Sequence, residues 1–80
     1  MKLSIYSIKE VLFQGTASLL SCKTEMGEIT ILDKHEPLIS VLTEGVIRVV
    51  NSEKKEQFFP VKSGFLEVKP DDEVRCIIEQ

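Results

Sequence analysis

The sequence has 80 residues, a formal net charge of −3 and 42% hydrophobic residues, and its acidic and basic side chains are interleaved along the chain. This length corresponds to one domain, residues 1–80, and the hydrophobic content is too high for a disordered segment. The charge argues against DNA or RNA as the main partner, because phosphate binding requires a basic face. No apolar run approaches the ~20 residues that a helix needs to span a bilayer.

Turn signals recur about every eight to twelve residues, and the runs between them are short and rich in Ile, Val, Leu and Phe. This spacing predicts an all-β fold, a sandwich or barrel of about eight to ten short antiparallel strands. No segment has the apolar periodicity of a useful helix. In chain order, the predicted strands cover residues 2–8, 16–24, 28–32, 38–43, 46–51, 56–62, 65–69 and 73–79.

Three of these strands carry individual signals. In the last strand Val74, Cys76 and Ile78 share one face, as expected when one side of a strand packs on a core. Residues 46–50 are largely apolar on both faces, which fits either a central strand beneath a covering loop or an outer face that packs on a partner. Pro60 has no N–H to donate to a ladder, so its strand is predicted at a sheet edge or a bulge.

The reactive side chains do not form a pattern of known chemistry. His35 is the single histidine and has no evident orienting partner, while Cys22 and Cys76 are isolated and far apart. This favours reduced, mostly buried thiols in a cytosolic protein, and it predicts no catalytic residue, no metal site and no cofactor. Phosphate-loop glycine motifs are absent. Three glycines are assigned to turns or to close backbone approaches: Gly27, Gly45 and Gly64.

Residues 24–48 carry an ordered set of motif positions. These are Thr24, Gly27, Ile31, Leu32, His35, Pro37, Leu38, Leu42, Gly45 and Arg48. With residues 63–68 (SGFLEV) and 11–15 (VLFQG), they resemble the epsilon subunit of the F-type ATP synthase. That family reads roughly T-x-x-G-x-x-G-I-L-x-x-H-x-P-L, then L-x-x-G-x-x-R, with G-G-F-x-E-V later and a V-x-F-x-G turn near the start.

The resemblance implies a flattened sandwich of two antiparallel sheets and a role in the rotor. The domain would bind the gamma subunit of the central stalk and the ring of c subunits, and so couple ion flow to ATP synthesis without catalysing a reaction itself. It would lie peripherally at the cytoplasmic face of the bacterial cell membrane, held there only through the complex. Carried over by position, the residues expected in the partner-binding loop region are Glu28, Leu32, His35, Pro37 and Leu38.

The sequence departs from the family pattern in three places. Thr30 and Ser63 stand where the family has glycine, and a threonine disfavours positive φ, so either a more regular strand or an altered ring-facing loop is expected near Thr30. Members of the family that it resembles usually continue into a C-terminal helical hairpin, which can bind ATP and can inhibit hydrolysis. Because this sequence ends at Gln80, directly after the last predicted strand, a coupling role without self-inhibition is expected.

Two alternatives stay open. The first is a small β-sandwich module that binds a different protein or a small molecule, and a concave apolar pocket with convergent polar groups would favour it. The second is an enzyme, which would need His35 within hydrogen-bond reach of a cysteine, or a pair of carboxylates in a cleft.

Overall fold

The computed structural model describes all 80 residues and consists of nine strands. These are β1 (Lys2–Tyr6), β2 (Val11–Thr16), β3 (Leu19–Thr24), β4 (Gly27–Leu32), β5 (Leu38–Leu42), β6 (Gly45–Val50), β7 (Glu56–Val61), β8 (Ser63–Lys69) and β9 (Glu73–Glu79). The all-β prediction is therefore confirmed. Every regular element is a short strand, so the structure offers no helix with the length and apolarity needed to cross a membrane.

The strands form two layers. The first layer has the order β2-β1-β9-β8-β5, and the second has the order β4-β3-β6-β7. The two layers belong to one continuous ladder, because β3 and β5 pair at Thr24 and Leu42. At the other side, the rings of Phe13 on β2 and Phe59 on β7 meet edge to face, with centroids 6.1 Å apart and planes at 72°. The sheet thus curls on itself into a flattened sandwich.

The core lies between the layers because the strands alternate buried and exposed positions. Leu3, Ile5 and Leu66 of the first layer are buried, as are Leu20 and Ile47 of the second. Burying a side chain of this size contributes roughly 1.5–3 kcal/mol. The predicted shared face of β9 is confirmed, since its inward residues are all buried: Val74, Cys76 and Ile78.

Two details of the sheet differ from the prediction. β2 was not predicted: the V-x-F-x-G pattern of residues 11–15 indicates a turn, and the strand predicted after it begins at residue 16. Leu12 has no partner on β1, where Ile5 pairs with Phe13 and Tyr6 with Val11, and this bulge breaks the alternation that marks a strand. In addition, β1 and β9 pair in parallel, so the sheet is mixed rather than purely antiparallel.

Other local predictions are confirmed. Pro60 lies on β7, an edge strand that pairs only with β6. Gly27 has a φ of 114°, a conformation that side chains rarely adopt. At Gly64 an added Cβ would lie 2.4 Å from the carbonyl oxygen of Ile77, so only glycine lets β8 and β9 approach this closely. Thr30 lies in regular strand opposite Ser21, so of the two expectations for this position the more regular strand is confirmed.

The register places five segments together at one end of the sandwich, which we call the loop end. It consists of Met1, the β2–β3 connection (residues 17–18), the β4–β5 loop (residues 33–37), the β6–β7 loop (residues 51–55) and the β8–β9 turn (residues 70–72). The β1–β2 loop, the β3–β4 turn and Gln80 lie at the opposite end.

Candidate functional site

A row of apolar side chains crosses the outer face of the first layer. Its members are direct cross-strand partners, and such partners share one face of a sheet. We call this row, together with the neighbouring Ile39 on β5, the apolar band. From β2 to β5 the paired residues of the row are Val11, Tyr6, Ile77, Phe65 and Val41.

The apolar band is exposed although it is hydrophobic. The exposed fractions are 76% for Ile39, 58% for Phe65 and 47% for Ile77. The row spans five strands, and since strands are spaced by about 4.8 Å its width is about 19 Å. Contiguous apolar surface of this kind on a small domain usually marks a binding surface for another macromolecule.

The same outer face becomes polar toward the loop end. In the row of outward-facing residues next to the apolar band, on the side of the loop end, Arg75 and Glu67 form an ion pair at 2.8 Å. In the following row, Lys69 and Glu73 lie 3.5 Å apart, and Glu73 is also the cross-strand partner of Lys2. The outer face of the first layer is therefore charged toward the loop end, and the apolar band lies nearer the opposite end, where the polar pair Ser63 and Glu79 follows it.

The structure brings together only some of the predicted site residues. Leu32, 54% exposed, ends β4 at the loop end, and His35 and Pro37 follow in the β4–β5 loop. Leu38 begins β5 and packs partly against the core. Glu28 is exposed but lies on β4 four residues before Leu32, about 13 Å away toward the opposite end. Glu28 and Leu32 are thus strand residues rather than loop residues.

Hydrogen bonds and charges hold the β4–β5 loop in place. The His35 N–H donates to the carbonyl oxygen of Leu32 at 3.2 Å and closes a tight turn. The Lys34 N–H donates to Oδ1 of Asp72 at 2.7 Å. The α-ammonium group of Met1 contacts the carboxylate of Asp33 and lies 3.6 Å from Oδ2 of Asp72. The loop is therefore tied to the β8–β9 turn and to Met1.

Backbone strain is concentrated at the loop end. Four residues other than glycine have positive φ, between 59° and 69°, and each lies in one of its loops or turns. Such conformations persist only where the surrounding structure imposes them, and they are frequent at functional sites. These residues are Lys34, Lys54, Asp71 and Asp72.

The cysteines and the histidine do not form a catalytic pair. Cys22 and Cys76 are buried in the core without a disulfide. Burial, with a smaller effect of Glu28, raises the pKa of Cys22 to about 11, and burial also raises the pKa of Cys76. Both thiols therefore stay protonated at neutral pH. His35 lies in the exposed loop with its Nδ1 2.7 Å from the carbonyl oxygen of Glu36, so the structure contains no cysteine–histidine pair.

The surface depression between β1 and β2 is open and mainly polar. The depression between β1 and β2 is lined by eight residues of which two are hydrophobic, with Lys2, Gln14 and Glu73 among the polar ones. The concave apolar pocket that would favour a small-molecule module is not formed there.

Comparison with known proteins identifies the family. Residues 1–79 match the model of the β-sandwich domain of the ATP synthase delta/epsilon chain. The chain belongs to this family. It is 41% identical over 70 residues to the ATP synthase epsilon chain of Nitrosococcus oceani, covering 88% of this chain and 50% of that one. It is 39% identical to the epsilon chain of Hydrogenovibrio crunogenus, covering 88% and 48%. The chain thus spans about half the length of these relatives.

Two solved structures share the fold of this delta/epsilon domain. A chain in the mitochondrial ATP synthase of Euglena gracilis, solved as an OSCP/F1/c-ring assembly, superposes with a TM-score of 0.94 at 21% identity, covering all of this chain and 51% of that one. A chain in the central stalk and c-ring of Tetrahymena thermophila ATP synthase gives 0.85 at 15% identity, covering 100% and 63%. At these identities the likeness concerns the fold.

Sequence reasoning missed the apolar band of this delta/epsilon domain. A local signal existed: Ile77 and Ile78 are consecutive apolar residues in a strand, so one of them must face outward. That signal becomes a surface only when Ile77 is paired with Phe65 and Tyr6, which requires the order and the register of strands distant in sequence.

Proposed function

We propose that this domain is a central-stalk subunit of the rotor of an F-type ATP synthase, where it binds the gamma subunit and the c-ring and couples ion flow to ATP synthesis. The observation that carries the proposal is the apolar band, which gives a domain of the delta/epsilon family a protein-binding surface. The resemblance in residues 24–48 and the central-stalk and c-ring assemblies in which related folds occur support it.

We assign the apolar band to the gamma subunit. Phe65 and Ile77 are exposed large side chains at the centre of the row, on strands whose ladder is complete on both sides. Interfaces are dominated by a few central apolar or aromatic residues that become fully desolvated on binding. A soluble stalk subunit provides such a surface, since burying the band needs a protein partner of matching shape.

We assign the loop end to the c-ring. The loops of a ring of membrane subunits are polar at the water interface, and a mixed surface suits them. Leu32 supplies an apolar contact there, and His35 and Pro37 supply an imidazole and a rigid backbone in the loop. Leu38 supports the loop from the core. Glu28 lies toward the opposite end of β4, and we propose it as a separate contact with the gamma subunit or the c-ring.

The proposed subunit is not catalytic. The buried, protonated thiols of Cys22 and Cys76 are poor nucleophiles, and Nδ1 of His35 faces the carbonyl oxygen of Glu36 rather than a cysteine or a carboxylate. The domain would therefore act by binding alone, needing no cofactor. Its place would be peripheral, at the cytoplasmic face of the bacterial membrane and held through the c-ring.

The test is capture of synthase subunits by the tagged chain from solubilised membranes of its own host, followed by affinity measurements with purified gamma subunit. Phe65→Ser should weaken gamma binding by about 30-fold or more, the effect of losing a central contact of ~2 kcal/mol. Phe58→Ser is the matched control, because Phe58 and Phe65 are both 58% exposed but Phe58 lies on β7, outside the band.

The outcomes separate the candidates. Recovery of gamma and c subunits with loss of gamma only in Phe65→Ser supports the proposal. Equal effects of the two substitutions would move the gamma surface away from the band. Absence of synthase subunits, with reproducible enrichment of one other protein that binds when purified, would instead support the different-partner module.

A further inference from the structure

A costly turn shapes the β4–β5 loop. The hydrogen bond from the His35 N–H to the Leu32 carbonyl oxygen, at 3.2 Å, makes Lys34 the third residue of a four-residue turn. Lys34 has a φ of 62°. Turns with positive φ at the third position normally carry glycine or asparagine there, because other side chains clash with the backbone. Lysine therefore does not stabilise this turn by its own conformational preference, and the turn needs support from outside.

Asp72 provides that support from another part of the chain. Its Oδ1 accepts the hydrogen bond of the Lys34 N–H at 2.7 Å, between residues 38 positions apart in sequence. Asp72 is itself fixed to β1, because its carbonyl oxygen accepts from the Lys2 N–H at 3.0 Å. Its Oδ2 also lies 3.6 Å from the α-ammonium group of Met1. The carboxylate is thus a fixed point to which the strained residue is bound.

We propose that Asp72 is a positioning residue for partner binding. By holding the Lys34 amide, it keeps the turn closed and so presents His35 and Pro37 in one arrangement to the c-ring. The inference rests on the proposed function of the loop end. Asp72 acts without touching the partner. Its substitution lowers the fraction of molecules in which the β4–β5 loop has the conformation that binds the c-ring, and the apparent affinity for the c-ring falls in proportion to that fraction.

The chain offers a matched control in the neighbouring residue. Asp71 has a φ of 69° and Asp72 a φ of 59°, so replacing either by alanine imposes a similar conformational cost on the β8–β9 turn. Only Asp72→Ala also removes the acceptor for Lys34. Asp72→Asn is the conservative variant, since its side-chain oxygen still accepts the hydrogen bond while the charge is lost.

The experiment measures two quantities in each variant of the full chain: hydrogen exchange of the Lys34 amide, and affinity for the c-ring purified from the host synthase. Asp72→Ala should lose protection at Lys34 and bind about five- to tenfold more weakly, as expected if only a minor fraction keeps the closed turn. Asp71→Ala and Asp72→Asn should stay within about twofold of the original chain. Lys34→Asn added to Asp72→Ala should restore much of the affinity, because asparagine tolerates positive φ.

Several results would overturn the inference. Equal weakening by Asp71→Ala would show that only the conformation of the β8–β9 turn matters. Equal weakening by Asp72→Asn would show that charge rather than the hydrogen bond acts. Wild-type affinity in Asp72→Ala would also exclude the positioning role and leave the proposed function intact. Failure of the original chain itself to bind the c-ring would instead contradict the proposed function, and the inference with it.

Discussion

Phe65 of the apolar band lies about 13 Å along β8 from Lys69, the last strand residue before the loop end, and the two surfaces are built by different means. The band is a row of side chains on strands, and its central residues Ile77 and Phe65 lie on β9 and β8, which are each paired on both sides. The loop end is shaped by its backbone, with four residues other than glycine at positive φ, held by hydrogen bonds and ion pairs between distant segments. A surface of the first kind should respond to side-chain chemistry, and one of the second kind to conformation.

The largest expected effect removes both surfaces at once. Gly64→Ala would place a Cβ 2.4 Å from the Ile77 carbonyl oxygen and 2.9 Å from the Ile78 Cα, so β8 and β9 must separate. We expect a loss of about 3 kcal/mol in the free energy of unfolding, measured by urea denaturation, because the obstacle is backbone that cannot repack. Gly15→Ala is the control: its Cβ would meet Phe13 at an ordinary 3.7 Å, and stability should change by less than ~1 kcal/mol. Equal losses would contradict the close approach as the cause.

The second prediction separates the two surfaces by side-chain chemistry. Ile77→Ser removes an apolar side chain that is 47% exposed from the centre of the band. Affinity for the gamma subunit should fall by about tenfold, or ~1.4 kcal/mol, while affinity for the c-ring stays unchanged. Ile8→Ser is the control, since Ile8 is 94% exposed in the β1–β2 loop and outside the row. A parallel loss of c-ring binding would mean that the two surfaces are not independent.

The contrast also explains how much the sequence could predict. Alternation in β9, the proline in β7 and the glycine at the β3–β4 turn report local constraints, so the all-β class, an edge strand and a turn were predicted correctly. The bulge at Leu12 hid β2, and alternation is the same for parallel and antiparallel neighbours, so the direction of β1 beside β9 was not accessible.

In the candidate site, too, features set by neighbouring residues were predictable from the sequence, and features set by pairing of distant segments were not. Motif positions pointed to Leu32, His35 and Pro37, which the structure places toward one end, because they lie within six residues of each other in the chain. The apolar band depends on pairing among five strands, and the bond between Lys34 and Asp72 joins residues 38 positions apart. Neither is encoded in a short stretch of sequence.

The third prediction sharpens the comparison through ionic strength. Raising the salt from about 0.05 M to about 0.5 M shortens the screening length from more than 10 Å to less than 5 Å, which weakens contacts between exposed charges but not apolar contacts. Binding of the c-ring at the loop end should therefore weaken severalfold, and binding of the gamma subunit through the band should change little. Titration calorimetry at the two salt concentrations measures both. The reverse pattern would require the assignments of the two surfaces to be exchanged.

The smallest expected effect is a loss of stability at acid pH, when the Asp72 carboxylate that accepts the Lys34 hydrogen bond becomes protonated. The hydrogen bond from the Lys34 N–H, aided by the positive charge of the Met1 ammonium group, lowers the pKa of Asp72 from the usual 3.8. A carboxyl group whose pKa is lower in the folded state stabilises the fold above its unfolded pKa. That contribution declines as the pH falls below about 3.8 and through the folded pKa.

Denaturation midpoints of the original chain should therefore fall more steeply below pH 4 than those of Asp72→Asn, which cannot titrate. Asp71→Asn, beside it in the same turn but without this hydrogen bond, should keep the slope of the original chain. If Asp72→Asn keeps that slope as well, the Asp72 carboxylate contributes no measurable stability to the loop end, and its hold on Lys34 would then have to be judged by exchange of the Lys34 amide alone.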